Sequence, residues 1–232
     1  MKKYLVLLVA FALVFGLSGA ASAYNITYLN NPIVPTNGGY TSPETNAIVE
    51  TFDPNASFTQ GWVWTGSYSI VSNGGNVDSR YSAPSYVDPI TGNTKESTDY
   101  ISVPLGTGSN PPNTGSVTVT GLGGYYNYFG LWWGSIDTYN TLAFSKDGNL
   151  FATISGSDLS NPANGQQWLP GTNKYVNIYF GANESFDSFT MTSTNFAFEA
   201  DNIAIGVPEP TTLLLLGLGL IGLAGVRRKF KG

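Results

Sequence analysis

Between Tyr24 and Val207 the apolar residues come in short runs, each closed by Gly, Asn or Pro, and this punctuation most restricts the fold. No stretch before the C-terminal tail keeps a 3.6-residue apolar period, and no internal repeat of fixed length is present, which argues against helical bundles, solenoids and propellers. Short strands between Gly/Asn/Pro turns predict an all-β sandwich or jelly roll of short antiparallel strands. The composition agrees: aromatics make up 14% of the chain, charged residues only 11%, and there are 28 Gly and 13 Pro.

The strands can be placed. Tyr24 to Tyr28 reads as the first, and Ala47 to Phe52 with Trp62 to Val71 as an early hairpin-like pair. Ser72 to Asp99 is turn-dense and polar and reads as a long surface excursion, a common place for a binding site. Tyr100–Val103 and Ser116–Val119 follow as short alternating strands. From Tyr125 to Trp133 alternation puts Tyr126, Tyr128, Gly130 and Trp132 on one face and Phe129, Leu131 and Trp133 on the other, so both faces are covered or one is sticky. Thr141–Phe144 and Leu150–Ile154 flank Asp147-Gly148, the turn chemistry of a β-hairpin. Tyr175–Phe180, Phe189–Thr192 and Ala197–Ile205 complete the sheets. In the last, Glu199 and Asp201 share the parity of Ile203 and Ile205, while Phe196 and Phe198 have the other. Either a β-bulge near Ala200 switches faces and leaves the acids solvated, or a carboxylate points inward and is compensated.

Cysteine and histidine are both absent. No disulfide forms, so a hydrophobic core must hold the domain, and the length suits a single one. Catalysis by Ser-His-Asp or Cys-His and metal sites built on His or Cys are excluded.

The two ends differ from the middle. Lys2 and Lys3, an apolar stretch from Leu5 to Leu17 and Ala21-Ser22-Ala23 read as a secretory signal peptide over residues 1–23. At the other end, residues 207–232 hold Pro208-Glu209-Pro210, an apolar run from Leu213 to Val226 and a basic cluster at Arg227, Arg228, Lys229 and Lys231. That order is a membrane-insertion signal with a stop. As a helix, residues 211–226 rise about 24 Å, short of a hydrocarbon core of about 30 Å, so snorkelling arginines or local thinning must help. Residues 227–232 would stay cytoplasmic and residues 24–206 form one exported domain. Without these ends, four cations and fourteen acids remain between Tyr24 and Val207, a net charge of about −10. Such a surface repels nucleic acid and suits calcium or neutral sugars as partners.

The tail VPEPTTLLLLGLGLIGLAGVRRKFKG resembles the PEP-CTERM sorting signal of Gram-negative surface proteins, a tail also labelled an ice-binding protein C-terminal domain. The string YFGLWWGSIDTYNTLAF, Tyr128 to Phe144, resembles a motif of one family of such proteins. The resemblance implies an exosortase as partner, acting near Pro208-Glu209-Pro210. It also implies inner-membrane anchoring before processing, then a place at the cell surface or in an exopolysaccharide matrix.

Within the domain, sugars would stack on an exposed tryptophan, and Trp168, in the polar loop Asn161–Thr172, is the residue expected to do so. For Trp132 and Trp133 a core role is expected. A structural calcium is the alternative compensation for inward acids, with Asp201 and an early partner, Asp53 or Glu50, by analogy with glycan-binding jelly rolls; no DxDxDG-type loop supports it. For a glycosidase, Glu50, Glu184, Asp187 and Glu199 are available, and nothing singles out a pair. The expected role is structural or adhesive and not enzymatic, without cofactor; a calcium-assisted lectin-like module is the alternative, and a glycoside hydrolase comes after it.

Overall fold

A computed structural model describes residues 24–29, 41–53, 57–88, 92–104, 112–159, 162–181 and 183–207. The signal-peptide, sorting-motif and membrane-segment expectations fall on residues 1–23 and 208–232, outside the described residues. Among the described residues, no helix is long and apolar enough to cross a membrane.

The expected all-β architecture is present. Strands are numbered in chain order. One antiparallel sheet runs β1 (Tyr24–Tyr28), β12 (Lys174–Phe180), β9 (Tyr128–Gly134), β14 (Phe198–Gly206), β7 (Tyr100–Val103) and β4 (Ser69–Val71), with β2 (Ile48–Glu50) also pairing β14. The second runs β11 (Asn149–Ser155), β10 (Asn140–Lys146), β13 (Ser188–Ser193), β8 (Gly115–Thr120) and β3 (Val63–Gly66). Between β11 and β12 lies a single helical turn, α1 (Gly156–Leu159).

The sheets pack face to face through rings. Phe129 of β9 meets Phe144 and Phe189 of the other sheet at 5.0 and 4.8 Å between centroids, and within the first sheet Trp133 of β9 stacks on Phe198 of β14 at 4.1 Å. Offset and edge-to-face pairs of this kind add to the apolar burial that holds a domain without disulfides. The Asp147-Gly148 turn is as expected: both residues have positive φ, 50° and 77°, the type I′ geometry whose twist matches the strands it joins.

Two expectations fail. Ala47–Phe52 and Trp62–Val71 do not pair: β2 joins β14, and the second run breaks into β3 and β4, which join different sheets. Gly66, at φ 142° against the backbone of Ser116 and Val117, marks the break. Nor is Ser72–Asp99 a surface excursion. It folds back over the outer face of the first sheet, carrying the hairpin of β5 (Ser85–Asp88) and β6 (Gly92–Lys95), and buries Ser82, Ala83, Ser85, Glu96 and Asp99. Tyr86 reaches the ring of Trp132, and the Tyr100 hydroxyl donates to the Gly75 carbonyl at 2.6 Å. This cover is why β9 is buried along its whole length, Trp132 as fully as Trp133.

The parity conflict in β14 is resolved by a bulge at Asn202, two positions later than expected. Opposite β9 the register passes from Asp201↔Trp132 to Ala204↔Gly130, and Asn202 takes φ 48°. Phe198 and Ala200 face the core before it, Ile203 and Ile205 after it. The acids are nevertheless not solvated: Glu199 and Asp201 are fully buried beneath the cover.

Connectivity separates the two ends of the sandwich. At one, β14 finishes at Gly206 beside the start of β9, and the turns 121–127, 147–148 and 181–187 gather there. Asn127 N–H donates to the Gly206 carbonyl, Tyr126 and Phe186 exchange backbone bonds, and the Tyr125 hydroxyl donates to Asp147. At the other, β14 begins at Phe198 and the segments 79–85, 135–139, 162–173 and 194–197 converge.

Candidate functional site

The Glu199 end holds a polar pocket of about 210 Å³ bordered by Arg80, Asp137, Tyr139, Asn164, Gln167 and Glu199. The six residues arrive from four separate segments, so the pocket exists only once the sheets close.

Asp137 lies in the turn from β9 to β10. Ser135, at φ 44°, turns the chain, Ile136 N–H donates to the Thr172 carbonyl at 2.7 Å, and Gly165 N–H donates to the Ile136 carbonyl at 3.1 Å. Gly165 is required: at φ 62° its Cβ would lie 2.2 Å from Asp137 Oδ2. Burial pushes the Asp137 carboxyl up, against the opposing effect of its bond to the Tyr139 hydroxyl. That hydroxyl also sits on the Phe196 carbonyl. The Tyr139 hydroxyl thus bridges the Asp137 carboxyl and the Phe196 carbonyl.

Glu199 comes from the first turn of β14. Its Oε1 accepts Ser82 N–H at 3.0 Å, while Oε2 is buried with no hydrogen-bond partner. Burial raises this carboxyl well above its ordinary value, Asp137 adds to the rise, and Ser82 N–H and Lys95 offset part of it. Burial at this position therefore favours the neutral form of the carboxyl.

Trp168 borders this end. Half of its surface is exposed, as is that of Leu169, and Lys95 Nζ lies 4.4 Å from the ring centroid. The loop that carries it is held by Asn173, whose Oδ1 accepts Ser85 and Ser135 N–H and whose Nδ2 donates to the Gln166 and Leu169 carbonyls. One buried side chain thus ties the cover, the β9 turn and the Trp168 loop together. Sequence reasoning missed Asn173 and Asp137: an Asn at a loop end is common, and Ser85 and Ser135, which bond Asn173, and Gly165, which packs on Asp137, are distant in the chain.

Of the other predicted residues, Asp53 comes close enough to Asp201 to raise its carboxyl, and the rest are dispersed. Glu50 is buried in β2 and its carboxylate accepts bonds from Phe52 N–H, Thr59 N–H and hydroxyl, and Gln60 N–H, which closes the 52–60 turn. Asp53 accepts Asp99 N–H at 3.0 Å, and burial raises its carboxyl. Asp201 meets Glu96 under the cover. Burial pushes Glu96 up to about 8 and Asp201 also upward, so the two acids share a proton. Among the described residues, no group of three or more acids is placed to hold a metal ion. Glu184 stands at the Gly181 turn and Asp187 beside Asp147, at the Gly206 end and away from Glu199.

Comparison with known proteins adds one identification. The family model of the PEP-CTERM protein-sorting motif matches residues 206–229, beginning at the last residue of β14, and the chain carries that motif. No curated protein matches the chain. Among solved structures, a crystal structure of the K2 cleaved adhesin domain of Lys-gingipain aligns at 15% identity and TM-score 0.30, over 70% of this chain and 98% of that one.

Proposed function

We propose that this chain, which its PEP-CTERM motif makes an exported, exosortase-sorted surface protein of a Gram-negative bacterium, is an adhesive component of the envelope that holds neutral glycans at its Glu199 end. One observation carries the reading: Trp168, next in the chain to the pocket residue Gln167, is half exposed in a fold that buries Trp62, Trp132 and Trp133. An exposed indole is a stacking surface for a sugar ring, and the pocket offers both donors and acceptors to hydroxyls. Burial raises the carboxyls of Asp137 and Glu199, which lessens the charge a neutral sugar would meet there. In this reading Pro208-Glu209-Pro210 is the processing point, the apolar segment the membrane anchor, and Arg227, Arg228 and Lys229 its stop.

Binding is favoured over glycoside hydrolysis. Two-carboxylate hydrolysis needs one acid neutral and the other ionised, whereas burial pushes Asp137 and Glu199 in the same direction. The test is binding of the full chain to bacterial exopolysaccharide and to a panel of neutral glycans, with calcium and with chelator. Trp168→Ala is expected to weaken saturable binding at least tenfold, a loss of about 1.4 kcal/mol. Binding that Trp168→Ala leaves unchanged refutes the site, and chelator sensitivity would bring calcium into it.

A further inference from the structure

We infer that the Gly206 end of the sandwich rests on a lipid bilayer, with zwitterionic, amine-bearing headgroups as the surface it fits. The inference rests on the anchoring reading of the tail and goes beyond it: an anchor alone leaves the domain free to tumble, whereas this contact fixes how it stands.

The chain leaves the fold at this end with almost no slack. Gly206 is still paired with Tyr128 in the sheet, and the sorting motif starts at that residue. The apolar run opens at Leu213, seven positions on, so the end of the sheet lies within about 25 Å of it even if the intervening chain is fully extended.

The surface facing that tether is apolar where a solvated turn region would be polar. Val63, Tyr125, Leu150 and Val207 are each more than half exposed. All four lie at the Gly206 end, because Val63 pairs with Thr120, Leu150 follows the 147–148 turn, and Tyr125 precedes β9. They come from both sheets, and from β11 to β3 the second sheet alone spans about 19 Å at 4.8 Å per strand. Between them an open hollow of about 460 Å³ is lined by Gly121, Gly123 and Gly124, the Tyr125 ring and Asp187. Tyrosine beside lysine is the pairing that membrane interfaces favour, and Lys146 Nζ lies 5.2 Å from the Tyr125 ring centroid. Asp147 and Asp187 stand in the same region, with the Asp147 N–H donating to Asp187. These carboxylates are repelled by anionic headgroups and attract ammonium groups, which selects the zwitterionic surface.

A consequence follows for the site above. The nine residues of β14, at about 3.3 Å each, place Glu199 and Trp168 some 25 Å or more from the membrane face, directed outward.

The chain has no cysteine, so single-cysteine labels report cleanly. The full chain carrying Leu150→Cys, Val63→Cys, Val77→Cys or Leu216→Cys is labelled with an environment-sensitive fluorophore. Each is reconstituted in phosphatidylethanolamine/phosphatidylcholine vesicles containing brominated lipid. Labels at 150 and 63 are expected to be quenched at least twofold more than the label at 77, in the cover away from this end, and less so when phosphatidylglycerol replaces the zwitterionic lipid. Quenching at 216 with positions 150 and 63 no different from 77 overturns the docking and leaves the anchor standing. No quenching at 216 overturns the anchor itself, and the docking with it.

Discussion

The two ends of this sandwich are built from the same materials and do opposite things with them. At the Glu199 end, turns from distant parts of the chain interlock: Asn173 serves three segments, Asp137 is wrapped by Gly165, and burial raises the carboxyls of Asp137 and Glu199. At the Gly206 end the turns are short and local, with open glycines and exposed apolar residues at their tips. Where long connections converge, polar groups can be enclosed and tuned; where tight hairpins end, side chains have only the outside to face. A ligand pocket belongs to the first kind of end and a flat contact to the second.

The largest expected effect removes the support common to both ends. Trp133 is fully buried and stacked on Phe198, and Trp133→Ala should cost about 3–5 kcal/mol, read as a fall in the denaturant midpoint with the slope unchanged. Next, a glycine contrast separates the ends. Gly165→Ala should cost about 2–3 kcal/mol and abolish glycan binding, since its Cβ would meet the Asp137 carboxylate. Gly148→Ala, at φ 77° with open space around it, should cost only about 1 kcal/mol and leave binding intact. Equal effects of the two substitutions on binding would break the comparison.

A third expectation concerns pH. Glu96 holds its proton more tightly folded than unfolded, so the contribution of the Glu96–Asp201 pair is complete below about pH 4.5 and is lost as pH rises through about 8. Thermal midpoints should therefore fall between pH 5 and 9, and Glu96→Gln should flatten that dependence; a flat profile in the parent protein removes the shared proton. The smallest effect is expected at Trp168. Trp168→Ala should change stability by no more than about 0.5 kcal/mol in the same melts, while reducing binding as above.

Much of the fold was legible because it rests on local rules. β1 and β7 begin and end where alternation places them, and the β10–β11 hairpin follows from Asp147-Gly148. Trp132 and Trp133 were readable as core from their size alone. The early strand pairing was not legible: β2, β3 and β4 are each short enough to join any edge, and long-range partners decided among them. The candidate site was half legible. An aromatic in a polar loop marks Trp168, but nothing near Asp137 in the chain announces Glu199 or Gly165 as its neighbours.

By itself the sequence determined the all-β class, the turn positions and the sorting motif at 206–229, because each depends on residues adjacent in the chain. Only the tertiary structure decided that residues 72–99 close over the first sheet, and hence that Glu199, Asp201 and Glu96 are buried and their carboxyls raised. The reason is physical: periodicity states which residues alternate, and burial depends on what arrives from elsewhere to cover them. A polar excursion and a strand carrying acids each look solvated alone. Brought together, they exclude water from one another.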